Sequence, residues 1–143
     1  TGDIQLTLSQ RVPMTGAVIV TTPQDIALLD AKKGIKMFEK VGVPILGIVE
    51  NMAVHVCSQC GHAEHLFGEG GGRRMAEQYG VPQLGALPLE IAIREQGDAG
   101  TPIVSARPDS AAARAYRDTA RALLAQLAQR PKVRTGILSA LLD

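Results

Sequence analysis

Two strand-like runs separated by one helix-length segment constrain the fold more than any other feature of the sequence. Residues 16–22 are Gly-Ala-Val-Ile-Val-Thr-Thr and residues 44–49 are Pro-Ile-Leu-Gly-Ile-Val, and such runs suit strands buried on both faces of a parallel sheet. Residues 24–40 between them predict a helix, with Thr22 as its N-cap and Gly42 beyond its end. The apolar positions of this helix are Ile26, Leu29, Ile35, Met37 and Phe38. The order strand, helix, strand predicts a βαβ unit with a right-handed crossover.

A further helix and strand follow after a polar insertion. A helix is predicted over residues 71–79 and ends at Gly80, and a short apolar strand over residues 84–87 ends at Pro88. Residues 109–129 then interleave alanines and leucines with arginines, which is typical of an amphipathic surface helix. Strands and helices in this order predict an α/β fold, with a parallel sheet flanked by helices.

The beginning of the chain has a helical pattern, over residues 4–11, with no strand before it. Because a parallel sheet needs covering elements on both faces, either a short loop replaces that strand or the chain is the C-terminal part of a larger α/β domain. We favour the second interpretation. It assigns residues 1–129 to the α/β portion, with an insertion at residues 51–70, and residues 130–143 to a C-terminal tail. A short docked helix is predicted at residues 137–142 of the tail.

Composition and charge limit the classes of function. The formal charge is +1, from 15 basic and 14 acidic residues, and 3% of the residues are aromatic. The chain therefore has neither the basic track nor the stacking rings that are typical of nucleic-acid binding. Its longest apolar runs fall well short of the roughly 20 residues that cross a bilayer, and no targeting segment is visible. The sequence predicts a cytoplasmic protein that binds neither nucleic acid nor membrane.

The two cysteines of the chain lie three residues apart, in Cys57-Ser-Gln-Cys60-Gly-His62 within the insertion. One such pair, in a chain without a secretory signal, favours metal or redox chemistry over a disulfide framework. Two thiolates at this spacing supply half of a tetrahedral metal site, because the turn between them brings both sulfurs to one ion. The other half would come from His62 or His65, or from the same pair in a second copy across a two-fold axis.

Other interpretations of the cysteine pair stay open on the residues alone. With His55, His62 and His65 nearby, a Cys2His2 site would make the chain a zinc-stabilised interaction module, although each imidazole can equally be a solvent-facing loop side chain. A dithiol redox protein is a second alternative, but thioredoxin-like pairs begin a helix directly after a strand, and here Gly61 and His62 follow. Inert buried thiols are the third.

Further segments are candidates for ligand contacts. Residues 68–74 are Gly-Glu-Gly-Gly-Gly-Arg-Arg and open a helix, so their free amides suit an anion, or they form a plain hinge. They lack the Lys and Ser/Thr of a phosphate loop, and no such loop occurs in the sequence. Asn51 ends a predicted strand, where open α/β sheets bind ligands, and its amide suits either a base edge or a turn. Residues 94–102 form either a lid or a surface turn.

Several short motifs follow one another along the chain in a specific order and spacing. They are Thr1-Gly2-Asp3, Thr-Thr-Pro-Gln-Asp at residues 21–25, Gly-Ile-Val-Glu-Asn-Met at residues 47–52, Cys57 with Cys60, Phe-Gly-Glu-Gly-Gly-Gly at residues 67–72 and Gly-Ala-Leu-Pro-Leu at residues 85–89. Together they resemble the Mrp/ApbC family of deviant-Walker P-loop ATPases that carry iron-sulfur clusters. The resemblance extends from Thr1 to about Val104.

The resemblance implies an ATP-regulated homodimer that binds a 4Fe–4S cluster through one cysteine pair from each subunit. Apo iron-sulfur proteins and cluster assembly scaffolds are the implied partners. Cys57 and Cys60 match the cluster pair, Asn51 matches a position that contacts adenine, and Gly2 and Asp3 are similar to the end of the switch segment, which implies nucleotide binding. The family's phosphate loop and the acidic strand end that helps hold Mg²⁺ would lie before Thr1. ATP and Mg²⁺ are therefore implied for the intact protein, and ATP hydrolysis by this chain alone stays open.

Overall fold

The computed structural model describes residues 2–130, and the predicted tail helix at residues 137–142 lies outside them. The elements in chain order are α1 (Gly2–Arg11), β1 (Ala17–Thr21), α2 (Asp25–Lys40), β2 (Ile45–Val56), β3 (Ala63–Glu64), α3 (Gly71–Tyr79), β4 (Gln83–Leu89), α4 (Ile91–Asp98), α5 (Ile103–Ala106) and α6 (Ala111–Ala128). The predicted α/β class is confirmed, since a mainly parallel sheet is flanked by helices.

The long strand β2 is the centre of the sheet. It pairs in parallel with β1 through its first half and with β4 along most of its length. Its last two residues, His55 and Val56, also pair antiparallel with β3. Because β4 occupies one edge of β2 there, β3 must lie on the other edge, beyond the point where β1 ends. A parallel domain sheet is thus extended by an antiparallel hairpin at the carboxyl end of β2.

Helices cover both faces of this sheet. α2 and α3 pack on one face through a core that includes Leu28, Ile35 and Met75. On the other face, residues of α6 pack against Val49 and Leu84. Complete burial of a side chain such as Ile35, which is 1% exposed, contributes about 1.5–3 kcal/mol. This two-sided burial explains the continuous apolar sequence in the first half of β2. The same expectation is wrong for β1, because Val20 is 62% exposed and only one face of that strand is fully buried.

The predicted position of α2 is confirmed, but its predicted N-cap is wrong. Of its apolar positions, Ile35 and Phe38 pack in the core, whereas Ile26 and Leu29 are 70% and 51% exposed and the neighbouring Leu28 is buried. The helix is rotated so that Leu28 and Ile35, seven residues apart and therefore on one face, meet the sheet. Its N-cap is Gln24, which makes no side-chain capping bond, and not Thr22.

Both later strands run further than their sequences suggest. β2 continues past residue 50 to Val56 across an irregularity in which Met52 has a φ of 55°. β4 continues through Pro88 to Leu89. In the described sheet β4 pairs only with β2, so its other edge forms no backbone hydrogen bonds with a strand. Proline is tolerated on such an edge strand, because the N–H that it lacks is not needed there.

The sequence predicts either a lid or a surface turn at residues 94–102. In the structure the first part of this stretch is helical, because α4 spans Ile91–Asp98. An ion pair on this helix, Arg94 Nη1 to Asp98 Oδ2 at 3.0 Å, joins residues four apart. α1, α3 and α6 lie close to their predicted positions. No helix in residues 2–130 is both long enough and apolar enough to cross a membrane.

Candidate functional site

Cys57 and Cys60 lie in the loop at the tip of the β2–β3 hairpin. The loop is closed by two backbone hydrogen bonds of 2.9 Å, from the Cys57 N–H to the His62 carbonyl and from the Gly61 N–H to the Cys57 carbonyl. Gly61 has a φ of +72°, a conformation that glycine adopts without strain. Cys57 is half-buried and Cys60 is exposed, and both are free thiols. The hairpin therefore presents two sulfurs to the outside of the molecule.

Hydrogen bonds from the backbone of this loop favour the thiolate form of Cys57. Hydrogen bonding from the Cys60 backbone N–H, then from the Gln59 N–H and the Cys60 side chain, lowers the pKa of the Cys57 thiol below its usual value. Desolvation and the nearby charge of Glu64 act in the opposite direction and are weaker. Because the thiolate is the form that binds metals, the site fits a thiophilic metal or an iron-sulfur cluster.

This lowered pKa predicts the alkylation behaviour of the metal-free protein. The rate of Cys57 modification by iodoacetamide should rise with pH at a lower midpoint than that of an ordinary cysteine, because the thiolate is the nucleophile and its pKa is lowered. The measurement is the pH dependence of peptide-resolved labelling by mass spectrometry. The same chain in denaturant is the control, and its midpoint should return to the usual value. An unchanged midpoint in the folded chain would show that the loop does not stabilise the thiolate.

The three histidines do not complete a metal site with the cysteines. Each of two imidazoles is held by a backbone carbonyl, which can only accept: the Nδ1 of His65 donates to Ala53 O at 2.7 Å and that of His55 to Leu89 O at 3.2 Å. His62 is exposed in the loop. Within residues 2–130 no three His, Cys, Asp or Glu side chains gather into a group that could hold a metal ion. The described arrangement thus assembles a sulfur pair and not a Cys2His2 set.

The hairpin setting also differs from that of a thioredoxin-like pair. Such a pair begins a helix directly after a strand, where the helix dipole lowers the thiol pKa. Here the helix that follows the cysteines, α3, begins only at Gly71. The backbone groups of the tight loop, and not a helix dipole, lower the pKa of Cys57.

Asn51 lies on the same strand as the cysteines, directly after the last residue of β2 that pairs with β1. Its Oδ1 accepts a 3.0 Å hydrogen bond from the Met52 N–H, so it supports the left-handed turn at Met52 and keeps its amide donor for other contacts. It lines two surface pockets. One has a volume of about 480 Å³ and lies along β1 and α2, and the other, of about 190 Å³, includes Leu89 and Tyr116.

Gly2 and Asp3 lie in the first turn of α1. Asp3 lines a mainly apolar depression along that helix, together with Ile4, Thr7, Leu8, Arg11 and Val12. This depression includes no residue of the sheet, whereas both pockets of Asn51 do. The described residues therefore do not gather Asp3 and Asn51 into one pocket.

One amide of the glycine-rich segment already has a partner within the protein. The Gly72 N–H, at the start of α3, donates to the carboxylate of Glu50. Glu50 is 3% exposed, and no residue pattern in the sequence predicts this contact. The available signal was one acidic residue at the end of an otherwise apolar strand.

Comparison with protein families gives a match over most of the chain. The family profile described as ParA, NUBPL iron-transfer P-loop NTPase, matches residues 1–124 of the chain. The chain belongs to this family. The resemblance to P-loop ATPases that carry iron-sulfur clusters is thereby confirmed.

Individual members of the NUBPL iron-transfer family are close in sequence. The iron-sulfur cluster carrier protein of Pseudomonas fragi is 65% identical over 120 residues, which cover 84% of this chain and 42% of that protein. That of Escherichia coli K12 is 59% identical over 139 residues, 97% of this chain and 38% of that protein. The mouse iron-sulfur cluster transfer protein NUBPL is 48% identical over 132 residues, 92% of this chain and 41% of that protein. The chain thus spans about two fifths of these relatives.

Solved structures show the same P-loop NTPase fold. A nucleotide-binding protein from Archaeoglobus fulgidus, in complex with ADP, matches with a TM-score of 0.61 and 38% identity, over 70% of this chain and 41% of that one. The cell division ATPase MinD from Pyrococcus furiosus matches with a TM-score of 0.62 and 29% identity, over 78% of this chain and 43% of that one. The family assignment and the fold are therefore consistent.

Proposed function

We propose that this chain is the cluster-holding portion of an ATP-dependent iron-sulfur carrier, with Cys57 and Cys60 as the ligands. The observation that carries the proposal is the pair of free thiols at an exposed hairpin tip, one of them with a lowered pKa. An exposed cysteine pair suits a cluster that must be passed on, because the thiolates of an acceptor protein can reach its iron atoms and replace the two cysteines. The relatives named as cluster carrier or transfer proteins support the same function.

The cluster is proposed to bridge two copies of the chain. A 4Fe–4S cluster takes four thiolates, and each chain supplies two. An isologous dimer whose two-fold axis passes through the cluster supplies four equivalent ligands with no further residue type. Apo iron-sulfur proteins, and assembly scaffolds that load the carrier, are the proposed partners in the cytoplasm.

ATP with Mg²⁺ is proposed to bind in the intact protein at the carboxyl edge of the sheet. Asn51 is the proposed adenine contact, since its amide donor is not used by the Met52 turn and it lines a pocket with residues of β4 and α6. Gly2 and Asp3 are proposed as nucleotide contacts from the switch segment. ATP binding and hydrolysis require a phosphate loop, which is not present in the 143-residue sequence. We therefore propose that another part of the intact protein supplies it.

Cluster transfer tests this function directly. The longest natural chain that contains these residues is reconstituted anaerobically, freed of excess iron and sulfide, and mixed with an apo-ferredoxin. We expect the apo-ferredoxin to acquire its visible absorbance faster than from free iron and sulfide, and Mg-ATP to change the rate. A cluster that never passes to the acceptor would contradict the carrier function, and a rate indifferent to Mg-ATP would contradict its ATP dependence.

A further inference from the structure

Glu50 is a buried carboxylate with one specific partner. Only 3% of the residue is exposed, and carboxylates are almost never buried this deeply unless they are paired. Its partner is the Gly72 backbone N–H at the start of α3. The N-cap of that helix, Gly70, has no side chain to cap it. Glu50 therefore supplies, from another element, the acceptor and the negative charge that a helix N-terminus favours.

The surroundings of this contact are shaped to allow it. A Cβ on Gly72 would lie 2.9 Å from Glu50 Cβ, which is closer than real Cβ atoms approach, and 3.1 Å from Glu50 Oε2, which is a tight contact. A Cβ on Gly71 would lie 2.8 Å from Leu28 Cδ1. Two successive glycines thus let the start of α3 reach the end of the β1-paired section of β2. The close approach explains the glycine run better than a flexible hinge does.

The contact joins the two ends of the segment that carries the cysteines. Glu50 is paired with Thr21 of β1 and directly precedes Asn51, the proposed adenine contact. Gly72 lies where the chain returns from the cysteine hairpin. The hydrogen bond therefore closes residues 51–71 at their base, and the bond from His65 to Ala53 O closes them again closer to the tip.

A strained residue lies just inside this closed segment. Met52 has a φ of 55°, which is uncommon for a residue other than glycine and costs on the order of 1–3 kcal/mol. It falls within the irregularity between β2 and β4 that separates Glu50 from Val54. This is the point at which a small change at Asn51 would redirect the rest of β2 and the cysteines on it.

We propose that Glu50 is a positioning residue that couples nucleotide binding at Asn51 to cluster binding at the cysteine hairpin. The proposal rests on the proposed ATP-dependent carrier function. Because Glu50 holds Gly72 at the end of the strand, a shift of the backbone at Asn51 and Met52 moves the cysteine hairpin with it. Without this bond the hairpin can still hold a cluster, but its position no longer depends on the nucleotide.

The test is a coupling measurement on the longest natural chain that contains these residues. The Kd for a non-hydrolysable ATP analogue with Mg²⁺ is measured by calorimetry on the cluster-loaded and on the metal-free protein. The ratio of the two Kd values is the coupling, and couplings between sites are typically about 5- to 150-fold. In Glu50→Met, which keeps a similar length and removes the oxygen that accepts from the Gly72 N–H, we expect this ratio to fall to about 1 while iron per chain stays near the wild-type value. Glu77→Met is the matched control, because it makes the same replacement at an exposed position on α3 and should keep the wild-type ratio.

Each outcome decides the proposal. A wild-type ratio that persists in Glu50→Met would overturn it, and so would a variant that loses its iron together with the coupling, since Glu50 would then be only structural. If Glu50→Met does not fold, Gly72→Ala is measured in its place, because its methyl group would displace the same contact from the helix side. A ratio of 1 in the wild type would also overturn the proposal, because there would be no coupling for Glu50 to carry, whereas the ATP dependence of the carrier is decided separately by the transfer rate.

Discussion

Replacing either Cys57 or Cys60 by Ser should reduce cluster retention to the level of the metal-free protein. Each cysteine is one of four thiolates around the proposed cluster, and a serine hydroxyl is neither ionised at neutral pH nor a soft ligand. The measurement is iron and acid-labile sulfide per chain after anaerobic reconstitution and desalting. Because the cluster is the proposed bridge, the same variants should lose the part of dimerisation that depends on iron and sulfide.

The histidines of the hairpin are the matched controls for this experiment. His62→Ala and His65→Ala should keep the iron content of the wild type. His65→Ala loses the 2.7 Å bond to Ala53 O and should cost only about 0.5–1.5 kcal/mol of stability, since the imidazole is not proposed as a ligand. A Cys57→Ser variant with full iron content, or a His62→Ala variant without metal, would contradict the proposed ligand set.

Gly85→Ala should destabilise the protein, because β4 and α6 approach each other closely at this position. A Cβ at Gly85 would lie 1.9 Å from Thr119 Oγ1 and 2.9 Å from Thr119 Cβ on α6. Rotation of the hydroxyl relieves the first clash but not the second, so α6 would have to move away from β4 and from the core around Leu84. Overpacking of this kind costs about 1–3 kcal/mol and occasionally more, and we expect the upper end.

Gly34→Ala is the control for this substitution. Gly34 lies inside α2, and a Cβ there would meet no atom within 4 Å. The same added methyl group should therefore stabilise the protein by roughly 0.5–1 kcal/mol, because alanine favours the helix interior over glycine. Urea unfolding of both variants measures the difference. Equal free energies of unfolding for Gly85→Ala and the wild type would show that α6 does not approach β4 this closely.

The secondary structure was predictable wherever a local pattern determines it. The two β-branched runs, the helix between them, and the Gly80 that ends α3 all follow from nearest-neighbour preferences, and the structure confirms them. The buried face of α2 was not predictable in this way. Ile26 and Leu28 are equally apolar, and only the position of the sheet decides that Leu28 is buried while Ile26 is 70% exposed.

The proximity of the two cysteines was predictable from the sequence, but the geometry of the candidate site was not. The cysteine spacing alone indicated a metal pair, because that chemistry depends on residues close in sequence. The hairpin that carries the pair depends on β2 continuing past Met52, whose φ of 55° no residue pattern in the sequence signalled. Glu50 and Gly72 are 22 positions apart, so their contact exists only once the sheet and α3 are packed together.

Metal content measured together with molar mass tests the central claim most directly. The longest natural chain that contains these residues is reconstituted anaerobically with iron and sulfide, and its iron, sulfide and zinc per chain are determined alongside its mass by light scattering. A 4Fe–4S cluster bridging two chains through Cys57 and Cys60 predicts about two irons and two sulfides per chain in a dimer. One zinc ion per chain in a monomer that needs His62 or His65 would contradict it and would make the hairpin a structural zinc module.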